Sequence, residues 1–256
     1  TPNASRSTAN RELRMLTSQS QSEMSSGNRS KLEQSSKSGP EQRLDLISEM
    51  LSKPPSYKPG KGYAYSNAGF SVAGAMLERR MGRNYQDLIR EKLFAPLGMD
   101  SVHFGAPASP GLVDQPYGHV VRDGVLVSIN PLPAGDNPPA ITPAGRVNAT
   151  ILDFLKFAVL HLGNTPVAPV DSTQLEVLHT PTASGPAYAM GWALEPRAWA
   201  GGTAFTHTGT NTMFYAVMWI APNRDFAAVA ACNSGSGFAV CDGAIELLVR
   251  RYLLEE

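Results

Sequence analysis

Two short polar triplets hold the side chains of this chain that could act together on a substrate. Tyr65-Ser66-Asn67 sets a phenol, a hydroxyl and a carboxamide side by side, just ahead of an apolar helical pattern. His207-Thr208-Gly209 sets an imidazole and a hydroxyl before a glycine, at the start of two strand-like runs. A phenol relays protons near neutrality only if adjacent positive charge offsets its ordinary pKa of about 10. A serine nucleophile would complete such a set if a lysine stood one helical turn beyond it to assist proton transfer. No lysine here meets that condition. The positions three residues before the lysines hold Asn28, Gln34, Met50, Pro55, Lys58, Ile89 and Asp153.

A rival nucleophile is Ser71, because Gly69-Phe70-Ser71-Val72-Ala73 approximates the Gly-x-Ser-x-Gly elbow. That elbow needs a strand before the serine and a sharp turn at it. Ser71 instead falls inside a helical stripe, behind a Pro/Gly-rich segment, so we do not read it as the nucleophile. The five histidines lack metal-ligand spacing, so no metal site is expected. Cys232 and Cys241 stand eight residues apart across a strand end and a helix start. They read as two small buried thiols or as a local disulfide in an exported protein.

The elements that must position these groups can be read from the pattern. The chain has 256 residues, enough for one large core or at most two. Lys+Arg 22 against Asp+Glu 22 gives no basic stripe for nucleic acid or acidic lipid. No apolar run approaches the ~20 residues of a membrane span, and Thr1 does not open a signal peptide. Residues 1–40 contain eleven serines and little apolar surface beyond Leu13-Arg14-Met15-Leu16, which reads as a largely irregular arm.

From residue 41 to 256 the composition is that of a folded domain, helical to about 180 and sheet plus terminal helix from about 185. Leu44, Ile47, Met50 and Leu51 predict a short amphipathic helix, ended by Pro54-Pro55. Ser66 or Asn67 should cap a helix to about Arg80, with Phe70, Ala73 and Leu77 on its inner stripe and Gly82 closing it. A third helix is expected over Tyr85–Phe94, a hairpin around Asp123-Gly124, and further helices over Ala149–Leu162 and Ser172–His179. Tyr188–Leu194, Ala204–His207, Thr212–Ile220 and Phe226–Cys232 read as strands. The last two are near-continuous apolar runs and should be central, covered on both faces. A helix over Ala239–Leu253 closes an α+β sandwich.

From Pro54 onward the chain resembles the class C-like branch of the serine β-lactamase and penicillin-binding protein superfamily, with its D-aminopeptidases and family VIII-type esterases. The resemblance rests on Pro59-Gly60 leading to Tyr65-Ser66-Asn67-Ala68-Gly69-Phe70, on Leu93-Phe94-Ala95-Pro96-Leu97-Gly98-Met99, on Pro143-Ala144-Gly145, and on Gly191-Trp192 leading to His207-Thr208-Gly209. Each stretch alone is weak; their shared order is specific. The segment Leu13 to Ser20 resembles a worn Leu-Leu-Thr-His-Thr-Ser-Gly. Only twelve residues precede it, so the strands and nucleophile helix that begin family members are expected to be missing or replaced, as in a truncated parent.

The resemblance implies a β-lactamase/transpeptidase-like fold, an antiparallel sheet flanked by helices, and hydrolysis of a peptide, ester or amide through an acyl-enzyme, without a cofactor. In that reading Tyr65 shuttles the proton, and Asn67, beside Ser66, hydrogen-bonds the substrate amide. His207 stands where many relatives carry Lys, near the substrate's carboxylate. Thr208 and Gly209 line the substrate, and the Thr210 backbone N–H is half of an oxyanion hole. His for Lys fits the peptidase and esterase branches better than a β-lactamase. The competing expectation is a non-catalytic module binding peptides or peptidoglycan-like ligands. Ser18 or Ser30 filling the nucleophile's place finds no support in spacing. Family resemblance favours a periplasmic or extracellular setting, and an oligomer is compatible with the apolar surface that a truncated domain would expose.

Overall fold

The computed structural model describes residues 35–133, 135–165, 169–181 and 185–255. Most of the expected arm, including Leu13 to Leu16, Ser18 and Ser30, lies outside the described residues.

Three helices form the first layer. Helix α1 (Gly39–Leu51) starts at Ser38, whose backbone N–H and hydroxyl both donate to the Glu41 carboxylate. Helix α2 (Asn67–Met81) is capped by Ser66, whose hydroxyl accepts from the Gly69 N–H at 2.9 Å, and is ended by left-handed Gly82. Helix α3 (Tyr85–Ile89) runs on through a π-helical turn over Arg90–Phe94. The next sheet pairings are short: β1 (His103–Phe104) with β4 (Val147–Asn148), and the hairpin β2 (His119–Arg122) with β3 (Val125–Ser128). Asp123 and Gly124 both take positive φ at the hairpin turn, as its sequence predicts. The short helix α4 (Thr142–Gly145) precedes β4.

Two inward faces differ from the sequence pattern. On α1, Leu44 and Leu51 are exposed, while Gln42, Arg43 and Leu46 are buried. On α2, the stripe of Phe70, Ala73 and Leu77 points outward, and Ala68, Ser71 and Gly74 face in. The reason is closeness. A Cβ at Gly74 would lie 2.3 Å from Pro143 Cγ, so α2 packs through its smallest residues against α4.

Arg43 occupies the space this leaves. Its side chain is fully buried; its Nη2 and Nε donate to Glu78 at 2.8 and 3.1 Å, and Nη1 donates to the Ala140 carbonyl at 2.9 Å. Glu78 also accepts from the Tyr85 N–H at 2.9 Å. One ion pair therefore ties α1 to α2, to the start of α3 and to the Pro139–Ile141 turn.

The second half is a five-stranded antiparallel sheet in the order β5 (Tyr188–Ala189), β6 (Trp192–Arg197), β7 (Gly202–Thr210), β8 (Tyr215–Ala221), β9 (Phe226–Cys232). Helix α5 (Ile151–Leu160) covers one face, with Phe154, Leu155 and Ala158 against Trp192, Met218 and Ile220. Helix α6 (Ser172–His179) comes next in the chain. Helix α7 (Phe238–Val249) covers the other face, with Cys241, Ile245 and Val249 against Val217 and Ala228. The expected double coverage of the last two strands holds, but the expected central position holds only for β8. Among the described residues β9 is the edge, because apolar content reports covered faces and not hydrogen-bonded neighbours. The expected strand Tyr188–Leu194 is broken at Met190-Gly191, where Gly191 takes φ +104°. Cys232 and Cys241 are free thiols; burial and the neighbouring Cys232 push the Cys241 thiol up to about 12.

Two stability experiments test this packing. Glu78→Ala, which leaves the Arg43 charge buried, should cost about 3–5 kcal/mol by urea unfolding, whereas Arg43→Met with Glu78→Leu should cost much less. The second concerns His161 and His179, whose Nδ1 and Nε2 lie 2.9 Å apart beside Phe157, Trp192 and Phe205. Burial lowers both, His161 to about 3, so both are neutral in the fold. The unfolded chain takes up these protons first. Stability is then complete above pH 6.5 and falls as pH drops toward 3, by roughly 2 kcal/mol for His161 at pH 5. Thermal melts across that range should show the loss, and His161→Phe should flatten it.

Candidate active site

The Tyr65-Ser66-Asn67 segment is held by the start of α2. The Ser66 hydroxyl is engaged as the α2 cap, so its chemistry is structural and its backbone fixes where Tyr65 and Asn67 leave the helix. Ser71 is fully buried mid-helix and donates to the Asn67 carbonyl at 3.2 Å, which removes the nucleophile-elbow geometry from consideration. Ahead of the cap, residues 62–66 belong to no helix or strand, and Tyr63 and Tyr65 both turn toward one aromatic partner.

Tyr188, on β5, packs into both of them. Its ring stands edge-on to Tyr65 at 6.1 Å between centroids and tilted to Tyr63 at 5.5 Å. The Tyr63 and Tyr188 hydroxyls are buried and take no hydrogen bond among the described residues. Burial pushes the Tyr63 phenol up to about 12, helped by Tyr65, and raises Tyr188 further through burial and both neighbours. These two phenols stay protonated near neutral pH. Neither was expected from the sequence. The i, i+2 spacing of Tyr63 and Tyr65 in a Pro/Gly-bounded stretch was the available signal; nothing in the sequence linked Tyr188 to them.

From Tyr188 the chain reaches the second triplet directly. Three residues on, the Gly191 carbonyl meets His207 Nδ1 at 2.5 Å. A carbonyl only accepts, so Nδ1 carries the proton and Nε2 carries the lone pair. Burial lowers the imidazole's pKa, and the Gly191 carbonyl opposes that only in part. His207 is therefore neutral near pH 7.

Strand alternation separates the rest of the triplet. His207 lies opposite Met218, on the α5 face, while Thr208 lies opposite Val217, on the α7 face. Thr208 hydrogen-bonds the Tyr215 side chain there. The Thr210 hydroxyl donates to the Phe214 carbonyl and accepts from the Thr212 N–H, closing the β7–β8 turn. What Thr208, Gly209 and Thr210 offer a ligand is therefore backbone. The β6–β7 ladder ends at Ala193↔Thr206, but β7–β8 pairing continues to Thr210↔Tyr215. Residues His207 to Thr210 thus have β8 on one side and no strand on the other, among the described residues. This short edge has the form to which an extended peptide can add as a strand.

Asn211, one residue further, anchors the edge. Its side chain accepts from the Met213 and Phe214 N–H groups and donates to Asp136 at 2.8 Å. Among the described residues no group of three His, Cys, Asp or Glu could hold a metal ion, and no helix is long and apolar enough to cross a membrane.

Comparisons with known proteins agree with this architecture. The Beta-lactamase family model matches residues 22–249. An unguisins hydrolase of Aspergillus campestris is 28% identical over 201 residues, which cover 74% of this chain and 36% of that protein. Penicillin-binding protein 4 of Amycolatopsis lactamdurans is 25% identical over 191 residues, 69% of this chain and 49% of that one. The chain spans half or less of the length of these two relatives. Among solved structures, the octameric penicillin-binding protein homologue from Pyrococcus abyssi superposes with a TM-score of 0.68 at 23% identity, over 84% of this chain and 49% of that one. D-amino acid amidase from Ochrobactrum anthropi gives 0.61 at 20% identity, over 82% and 63%. These two share the fold.

Because its hydroxyl is buried without a partner, Tyr188→Phe should raise stability, by up to about 1 kcal/mol in urea unfolding, rather than lower it.

Proposed function

The chain belongs to the beta-lactamase family, and on that footing we propose that its cleft is that of a serine hydrolase acting on peptides, esters or amides through an acyl-enzyme. The observation that carries this reading is the uncovered His207–Thr210 edge of β7, one strand removed from β5, whose Tyr188 packs on Tyr63 and Tyr65. A substrate strand added to that edge would bring its scissile carbonyl to the Thr210 N–H. Tyr65 is the proton carrier in this scheme, and Asn67 hydrogen-bonds the substrate amide. The names of the relatives, an unguisins hydrolase and a penicillin-binding protein, support substrates of peptide type.

A second reading has its own observation. No serine in this chain stands three residues before a lysine, and the only serine inside α2, Ser71, is sealed in the helix. Losing the nucleophile removes the covalent route and leaves what binding and oxyanion donors supply. We therefore assign this chain ligand binding with impaired or absent turnover.

The test is intact mass after incubation with a penicillin and, separately, a fluorophosphonate, alongside calorimetric binding of D-alanyl-D-alanine amide. The expected result is no stoichiometric adduct, with binding weakened at least tenfold by Asn67→Ala and unchanged by Arg251→Ala at the exposed C-terminal turn. A stoichiometric adduct on one serine would reverse the assignment of impaired turnover.

A further inference from the structure

We infer that His207 meets its ligand as a hydrogen-bond acceptor, so that the cleft selects a group presenting N–H or ammonium donors over one ending in a carboxylate. This rests on the binding site assigned above and adds its charge preference.

Gly191 is where this preference originates. Its φ of +104° belongs to a region that residues with a Cβ rarely adopt, and it turns the carbonyl onto His207 Nδ1. That contact fixes the tautomer. Nδ1–H is consumed, and Nε2, which takes no hydrogen bond among the described residues, can only accept while the ring is neutral. A second proton would create a charge on a ring held within the sheet, where no carboxylate among the described residues hydrogen-bonds it.

Among the described residues the ring's hydrogen bond is to a backbone carbonyl, which brings no fixed charge to it. A carboxylate entering here would lose its hydration without gaining a fixed counter-charge. An ammonium or amide N–H would instead find the Nε2 lone pair. The β5–β6 turn is thus the specificity element, because Gly191 sets the imidazole.

Two matched ligands separate the possibilities. D-alanyl-D-alanine amide presents an ammonium and no carboxylate; N-acetyl-D-alanyl-D-alanine presents a carboxylate and no amine. Calorimetry on this chain should give at least tenfold tighter binding of the amide. His207→Lys, which restores a fixed cation, should reverse the order. His207→Gln, which keeps an uncharged acceptor, should preserve it, with circular dichroism confirming the fold of both. Equal or tighter wild-type binding of the acetylated acid would overturn the inference while leaving the site in place. Failure of both ligands to bind would remove the site itself, and the inference with it.

Discussion

The Arg43–Glu78 pair is the constraint on which the helical layer turns. Burying a guanidinium is tolerable only when nearly all its donors are met, and here two carboxylate oxygens and two backbone carbonyls meet them. The pair fixes α1 on α2 and holds the Pro139–Ile141 turn against both. Because α4 continues directly from that turn, Pro143 is pressed onto Gly74, and the rotation of α2 is set. That rotation decides where Ser66 caps the helix and thus where Tyr65 and Asn67 stand. The site depends on an ion pair that none of its own residues touches.

The sheet contributes the other half by a different means. Alternation sends His207 and Thr208 to opposite faces, so the triplet cannot act as three converging side chains. It acts as one side chain and an edge of backbone. The hydroxyls that could have blurred this are engaged elsewhere, Thr208 with Tyr215 and Thr210 within its own turn. Gly191 then does what no side chain in the triplet can, deciding which imidazole nitrogen faces outward. Tyr188, three residues before it, joins β5 to the Tyr63–Tyr65 segment through ring packing.

Much of this was legible where the signal is local. Ser66 as cap, Gly82 as terminator, Asp123-Gly124 as hairpin turn, and the limits of Ser172–His179 and Phe226–Cys232 each rest on residues within a few positions of one another. What failed was the assignment of faces. Phe70, Ala73 and Leu77 make the better apolar stripe, yet the closest packing surface wins through Ala68, Ser71 and Gly74, because near approach rewards small residues over greasy ones. Arg43 inside α1 was invisible for a related reason: its burial depends on Glu78, thirty-five residues away. The edge position of β9 depends on pairing, which composition does not record. In the site, the two triplets could be read as motifs, but the tautomer of His207 could not, since it is set by a carbonyl sixteen residues upstream.

The electrostatics of the cleft bear on what the missing Ser-x-x-Lys entails. A phenol that is to take a proton near neutrality needs adjacent positive charge. Here the ring packed on Tyr65 is Tyr188, a phenol that burial keeps protonated, and the His207 imidazole is neutral. In the proposed reading, binding and bond-breaking come apart: the edge of β7, the Thr210 N–H and the acceptor nitrogen of His207 would serve the first, and none of them would supply the second.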